Sequence, residues 1–78
     1  MLDVKNLLSD IAKAIVDNPD EVEVIQSETD GSILLTLKVS EGDVGMVIGK
    51  HGRIAKAIRS VMKSASTLVG KKIIVEIE

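Results

Sequence analysis

The apolar residues of this chain change their spacing three times, and the order of those changes leaves room for few folds. Val4, Leu7, Leu8, Ile11, Ala12, Ile15 and Val16 recur at helical intervals and form one unbroken stripe. The spacing predicts a helix over 3–17, with Asp3 as its N-cap and Asp17-Asn18-Pro19 as its stop, because a residue before proline is pushed out of the α region. Period two then takes over. Glu21-Val22-Glu23-Val24 alternates, and Ile33, Leu35, Leu37 and Val39 share one face of a strand whose other face carries Thr36 and Lys38. Asp30-Gly31 lies between the two runs and is a hairpin signal, so the pattern predicts antiparallel strands over 21–28 and 32–39.

Helical spacing returns after a turn at Ser40-Glu41-Gly42-Asp43, which is rich in capping residues. Val44 to Ile48 fits one or two helical turns ending at Gly49. A third helix starts near Arg53 and is expected to bury Ile54, Ala57, Ile58, Val61, Ala65 and Leu68, with Arg53, Lys56, Arg59 and Lys63 on the opposite side. Gly70 marks its end, Lys71 and Lys72 complement its dipole, and Ile73, Val75 and Ile77 alternate in a last strand over 73–77. A strand, two helices and a strand make a crossover, which favours parallel pairing of 32–39 with 73–77. The expected fold is therefore α+β in the order α-β-β-α-α-β, a three-stranded mixed sheet with the helices packed on one face, in one domain over 1–78.

Composition enters as a set of exclusions. The chain has no cysteine and a single histidine, so no disulfide, thiolate nucleophile or metal centre is expected, and no cofactor. At this size the supplement to a small core is then self-association or a partner. No nucleophile, base and orienting group can be assembled, which argues against an enzyme. No apolar run approaches the roughly 18 residues of a spanning helix, and no signal-peptide pattern opens the chain, so a cytosolic place is expected. There is no Phe, Tyr or Trp, which removes modules that stack bases on aromatic rings. The net charge of −2 conceals a division. Residues 1–43 carry three lysines against ten acids, a balance of −7, whereas residues 44–78 carry seven cations against two acids, a balance of +5. No acid occurs from Val44 to Val75. The second half is the candidate for a polyanion.

Within that half, Val47-Ile48-Gly49-Lys50-His51-Gly52-Arg53 sets two glycines around a basic pair at the mouth of a helix. Without a Cβ, glycine lets a phosphate approach backbone N–H groups, here those of His51 through Ile54, and the positive end of the helix dipole points at the same anion. Lys50 and Arg53 add charge, and Arg53 offers two parallel donors. Other glycine motifs do not fit. Three residues separate Gly45 from Gly49, where a P-loop needs four, and Lys50 is followed by His51 rather than Ser or Thr.

The heptapeptide matches the V-I-G-x-x-G signature, and the order around it matches the type II arrangement, of the KH domain. The whole chain from Leu2 to Glu78 resembles the small stand-alone bacterial KH proteins of the KhpA type. The resemblance implies a non-catalytic clamp for about four nucleotides of single-stranded RNA. Carried onto this sequence, it implies RNA-binding roles for Gly45, Ile48, Gly49, Lys50, His51, Gly52, Arg53, Ile54 and Lys56. Gly45, Ile48, Ile54 and one edge of strand 32–39 would line an aliphatic groove for the bases. Lys56, Arg59 and Lys63 read equally as a solvated face or an RNA track. Met46 departs from the family pattern, in which a cation is common after the glycine matched by Gly45. The resemblance further implies a homodimer, or a heterodimer with a larger KhpB/Jag-type RNA-binding protein, and work as an RNA chaperone or post-transcriptional regulator linked to cell elongation and envelope control. A rival reading makes the fold a dimerisation or docking module with incidental RNA binding. It draws on Met46, on the acidic first half of the chain, and on Ile25, Leu34 and Ile74, which are expected to lie off the helix-covered face.

Overall fold

The computed structural model describes residues 3–78; Met1 and Leu2, the first positions of the expected domain and resemblance, lie outside the described residues. The elements are α1 (Val4–Ile15), β1 (Glu23–Thr29), β2 (Ser32–Lys38), α2 (Val44–Ile48), α3 (Arg53–Val69) and β3 (Lys72–Ile77). Short 3-10 turns at Pro19–Glu21, Glu41–Asp43 and Lys50–Gly52 join them. This is the expected α-β-β-α-α-β order.

Asp3 caps α1 as anticipated: its carboxylate accepts from the Asn6 N–H at 3.1 Å and from the Asn6 side-chain amide at 2.9 Å. The helix ends two residues before the predicted 17. Val16 turns extended, with its N–H still bonded to the Ala12 carbonyl, and thereby buries its own side chain. Pro19-Asp20-Glu21 is a 3-10 turn rather than the start of a strand, so β1 begins at Glu23.

The sheet order is β1-β2-β3, antiparallel between β1 and β2 and parallel between β2 and β3. In register, Val24 faces Leu37, and Ile33 and Leu35 face Ile73 and Val75. Those residues project from one face, where α1 and α3 supply Val4, Leu8, Ala12, Ile58, Met62 and Ala65 to a single core. Leu8, Leu35 and Leu37 are fully buried. Truncating any of them to alanine costs about 2–5 kcal/mol. The other sheet face carries Ile25, Leu34 and Ile74, as the alternation predicts, and Ile25 and Ile74 stay exposed.

The third helix corrects the sequence reading. Its buried residues are Ala55, Ile58, Met62 and Ala65. Ile54, Val61 and Leu68 are 37, 47 and 78% exposed, and Ala57 is exposed as well. Apolar residues occupy a broad arc of α3, wider than the sheet can cover, and the half that meets β3 and α1 goes inside. The remaining half stays on the shoulder of the helix as an exposed apolar stripe.

Candidate nucleic-acid interface

Only five residues long, α2 is anchored by Val47, which is fully buried. The helix stops at Gly49, where φ is 76° and ψ 173°, and the Gly49 N–H closes the turn on the Gly45 carbonyl at 2.9 Å. Glycine is required here twice over. The positive φ strains any L side chain, and a Cβ would lie 2.8 Å from the Ile54 Cβ and 2.9 Å from the Ile54 nitrogen. The backbone of Gly49 thus lies directly against the first turn of α3.

The loop then makes one 3-10 turn and enters α3 through two left-handed residues, His51 (φ 58°) and Gly52 (φ 74°). His51 is the only non-glycine residue with positive φ among the described residues. Two of the four N–H groups expected to face a phosphate are already engaged: Gly52 donates to the Gly49 carbonyl at 3.1 Å, and Arg53 to the Lys50 carbonyl. The loop needs these bonds to hold its own shape, which the sequence does not reveal. The first turn of α3 has neither a side-chain cap nor an acidic residue, so no protein anion competes for its positive end.

All nine residues singled out in the sequence fall in this one corner. Gly45, Ile48, Lys50, His51, Arg53, Ile54 and Lys56 are exposed, and Gly49 and Gly52 are half-buried. The two ion pairs among the described residues, Lys38–Glu78 and Lys71–Glu28, involve none of the cations of the corner. Met46, Ile48 and Ile54 give the corner an apolar rim.

Strand 32–39 cannot offer an edge to a groove, contrary to expectation. It is the central strand, paired on both sides. The free edge beside α3 belongs to β3. There Arg59, Lys63 and Ser66 of α3 face Lys72, Ile73, Ile74 and Val75 across an open groove of about 380 Å³. Its walls combine three cations with aliphatic carbons. The sequence reading assigns Lys72 to the dipole at the end of α3 and places no β3 residue beside the basic helix face. The crossover rule held the missing signal: a strand parallel to β2, with β1 on the other side, must form the edge.

The sequence model of the KhpA/KhpB KH-domain family matches residues 5–77. An RNA-binding protein KhpA from Clostridium acetobutylicum is 54% identical over 74 residues, covering 95% of this chain and 99% of that protein. The RNA-binding protein KhpA of Bacillus subtilis is 45% identical over 74 residues, covering 95% of this chain and 91% of that one. Among solved structures, Era in complex with MgGDPNP and nucleotides 1506–1542 of 16S ribosomal RNA superposes with a TM-score of 0.63 at 16% identity, covering 95% of this chain and 28% of Era. That likeness is one of fold.

Proposed function

This chain belongs to the KhpA/KhpB KH-domain family, a family of RNA-binding domains rather than enzymes, and from that footing we propose that it clamps short single-stranded RNA at the α2–α3 corner. The observation that carries the reading is the corner itself: a glycine-shaped loop with an uncapped helix mouth, ringed by cations that have no acidic partner among the described residues. Gly49 and Gly52 let the sugar–phosphate chain lie on the backbone, and Lys50, His51 and Arg53 supply donors and charge. Gly45, Ile48 and Ile54 offer an apolar bed to the bases, with Lys56 flanking it. Arg59, Lys63 and Lys72 continue the positive surface along the groove beside β3. A clamp of about four nucleotides without an aromatic platform binds weakly and with little sequence demand. The protein acts as one KH domain in the cytoplasm, as an RNA chaperone or post-transcriptional regulator serving cell elongation and envelope control.

Pairing raises avidity for such a weak clamp. We assign this to a homodimer, or to a heterodimer with a larger KhpB/Jag-type RNA-binding protein. Supporting it is the rest of the α3 stripe beyond Ile54, where Val61 and Leu68 leave large apolar side chains in water beside the exposed Ala57. The same stripe, with Met46 and the open sheet face, favours the second reading, in which docking is the main task and RNA incidental.

Replacing Lys50 and His51 together by aspartate separates the two. The RNA reading expects affinity for a short single-stranded RNA at fixed low salt to fall by about 10-fold or more, with melting temperature and oligomeric state unchanged. Unaltered affinity overturns it. Docking as the main task instead expects partner association and cellular function to survive the double substitution.

A further inference from the structure

Asp43 is the one buried charged or polar residue among the described residues, only 2% exposed. Its carboxylate takes part in neither described ion pair. It stands at the N-terminus of α2, where a cap was expected, yet makes no capping bond there. Instead its Oδ2 accepts from the backbone N–H of Asn18 at 3.0 Å and from the Asn18 side-chain amide at 3.1 Å. Asn18 lies 25 positions earlier, in the turn between α1 and β1, immediately before Pro19. A buried carboxylate is a poor choice where packing alone is needed, because desolvation costs it what an aliphatic side chain would not lose. What it supplies is direction: two bonds to one residue fix both the position and the orientation of what carries them.

What it carries is α2. Five residues make too short a helix to hold itself. Val47 anchors its middle in the core, its last residue is Ile48, and Gly49 follows. Rotation of α2 about Val47 would therefore swing the Gly49–Gly52 loop away from Ile54, against which Gly49 is packed.

We propose that the Asn18–Asp43 pair is a positioning clasp for the RNA loop, one that pins the start of α2 to the α1–β1 turn so that the loop is presented in a single geometry. The proposal rests on the RNA reading above and adds two positioning residues to the nine named there.

The test uses Asn18→Asp, Asp43→Ala and Asp43→Asn. Asn18→Asp sets two carboxylates together, and Asp43→Ala removes the one atom that accepts both bonds. Asp43→Asn is the conservative control, because its amide oxygen can take the place of Oδ2 and accept both. Two readouts apply well below the melting temperature: affinity for a single-stranded RNA of about eight nucleotides, and the amide NMR shifts of Gly49 to Arg53. We expect Asn18→Asp and Asp43→Ala each to weaken binding by about fivefold and to move the loop signals, and Asp43→Asn to keep both. Asp43→Ala is the sharper arm, because removing a negative charge on its own strengthens RNA binding. Where a single variant fails to fold, Asn18→Ala removes only the side-chain donor and is expected to give a smaller loss of the same kind. Loop signals and affinity at wild-type values, with only the melting temperature lowered, overturn the clasp. A wild-type chain that binds no RNA removes the function and this role with it. Loop signals that still move in Asn18→Asp distinguish that outcome from failure of the clasp.

Discussion

Two corners of this molecule are built on glycine, and their demands differ. In the β1–β2 hairpin, Gly31 has a φ of 72° and nothing within 4 Å of where a Cβ would stand. In the α2–α3 loop, Gly49 has nearly the same φ, 76°, but its missing Cβ is the space into which Ile54 packs. The hairpin needs a residue that tolerates a left-handed backbone. The loop needs the absence of a side chain. A turn that merely reverses the chain is open to substitution, whereas one that presses its backbone against a helix is not.

Substitutions grade this contrast. Gly49→Ala is expected to have the largest effect, a loss of about 2–4 kcal/mol in urea unfolding together with RNA affinity, because strain and collision with Ile54 add. Gly52→Ala meets open space and incurs only the left-handed backbone, so a loss of about 1 kcal/mol is expected. His51→Gly runs the other way: it relieves a φ of 58° in a side-chain-bearing residue and is expected to raise stability by about 0.5 kcal/mol while weakening RNA binding. Gly31→Asn should change stability by less than about 0.5 kcal/mol and leave RNA binding untouched. A Gly49→Ala protein as stable as Gly31→Asn would erase the contrast.

The smallest effect concerns the ion pair near the hairpin. Lys71 donates to Glu28 at 3.0 Å, and that hydrogen bond, then the lysine charge, then a bond from Gln26 hold the Glu28 carboxyl below its ordinary range. A carboxyl lowered by folding contributes stability above its unfolded value and loses it as pH falls through the folded one. Lys71→Met should therefore flatten the acid limb of a stability–pH curve below the ordinary carboxylate range and change nothing at neutral pH beyond a small offset. Both groups face solvent, so salt is expected to shrink the difference.

Much of the fold was legible because single elements state their own period. The α1 stripe, the alternation of β2 and the Asp30-Gly31 turn each need only neighbouring residues to be read. The composition of the corner was legible for the same reason, since Gly49 through Arg53 are contiguous. What stayed hidden depends on distant partners. The arc of α3 offers two apolar halves, and only β3 and α1 decide that Met62 goes in while Val61 stays out. Asp43 looks like a cap until Asn18 is placed beside it. The groove wall at Ile73 to Val75 appears only once β2 is seen to be central.

The parallel seam has a kinetic consequence. Ser32 pairs with Lys72 across about 40 intervening positions, while β1 and β2 meet through a turn of two residues. The hairpin can zip within microseconds, but the seam must wait until two helices have wound and crossed the sheet. The Gly49–Gly52 loop sits inside that waiting segment, between the two helices that must form first. Burst-labelled hydrogen exchange should find the amides of β3 among the last to become protected.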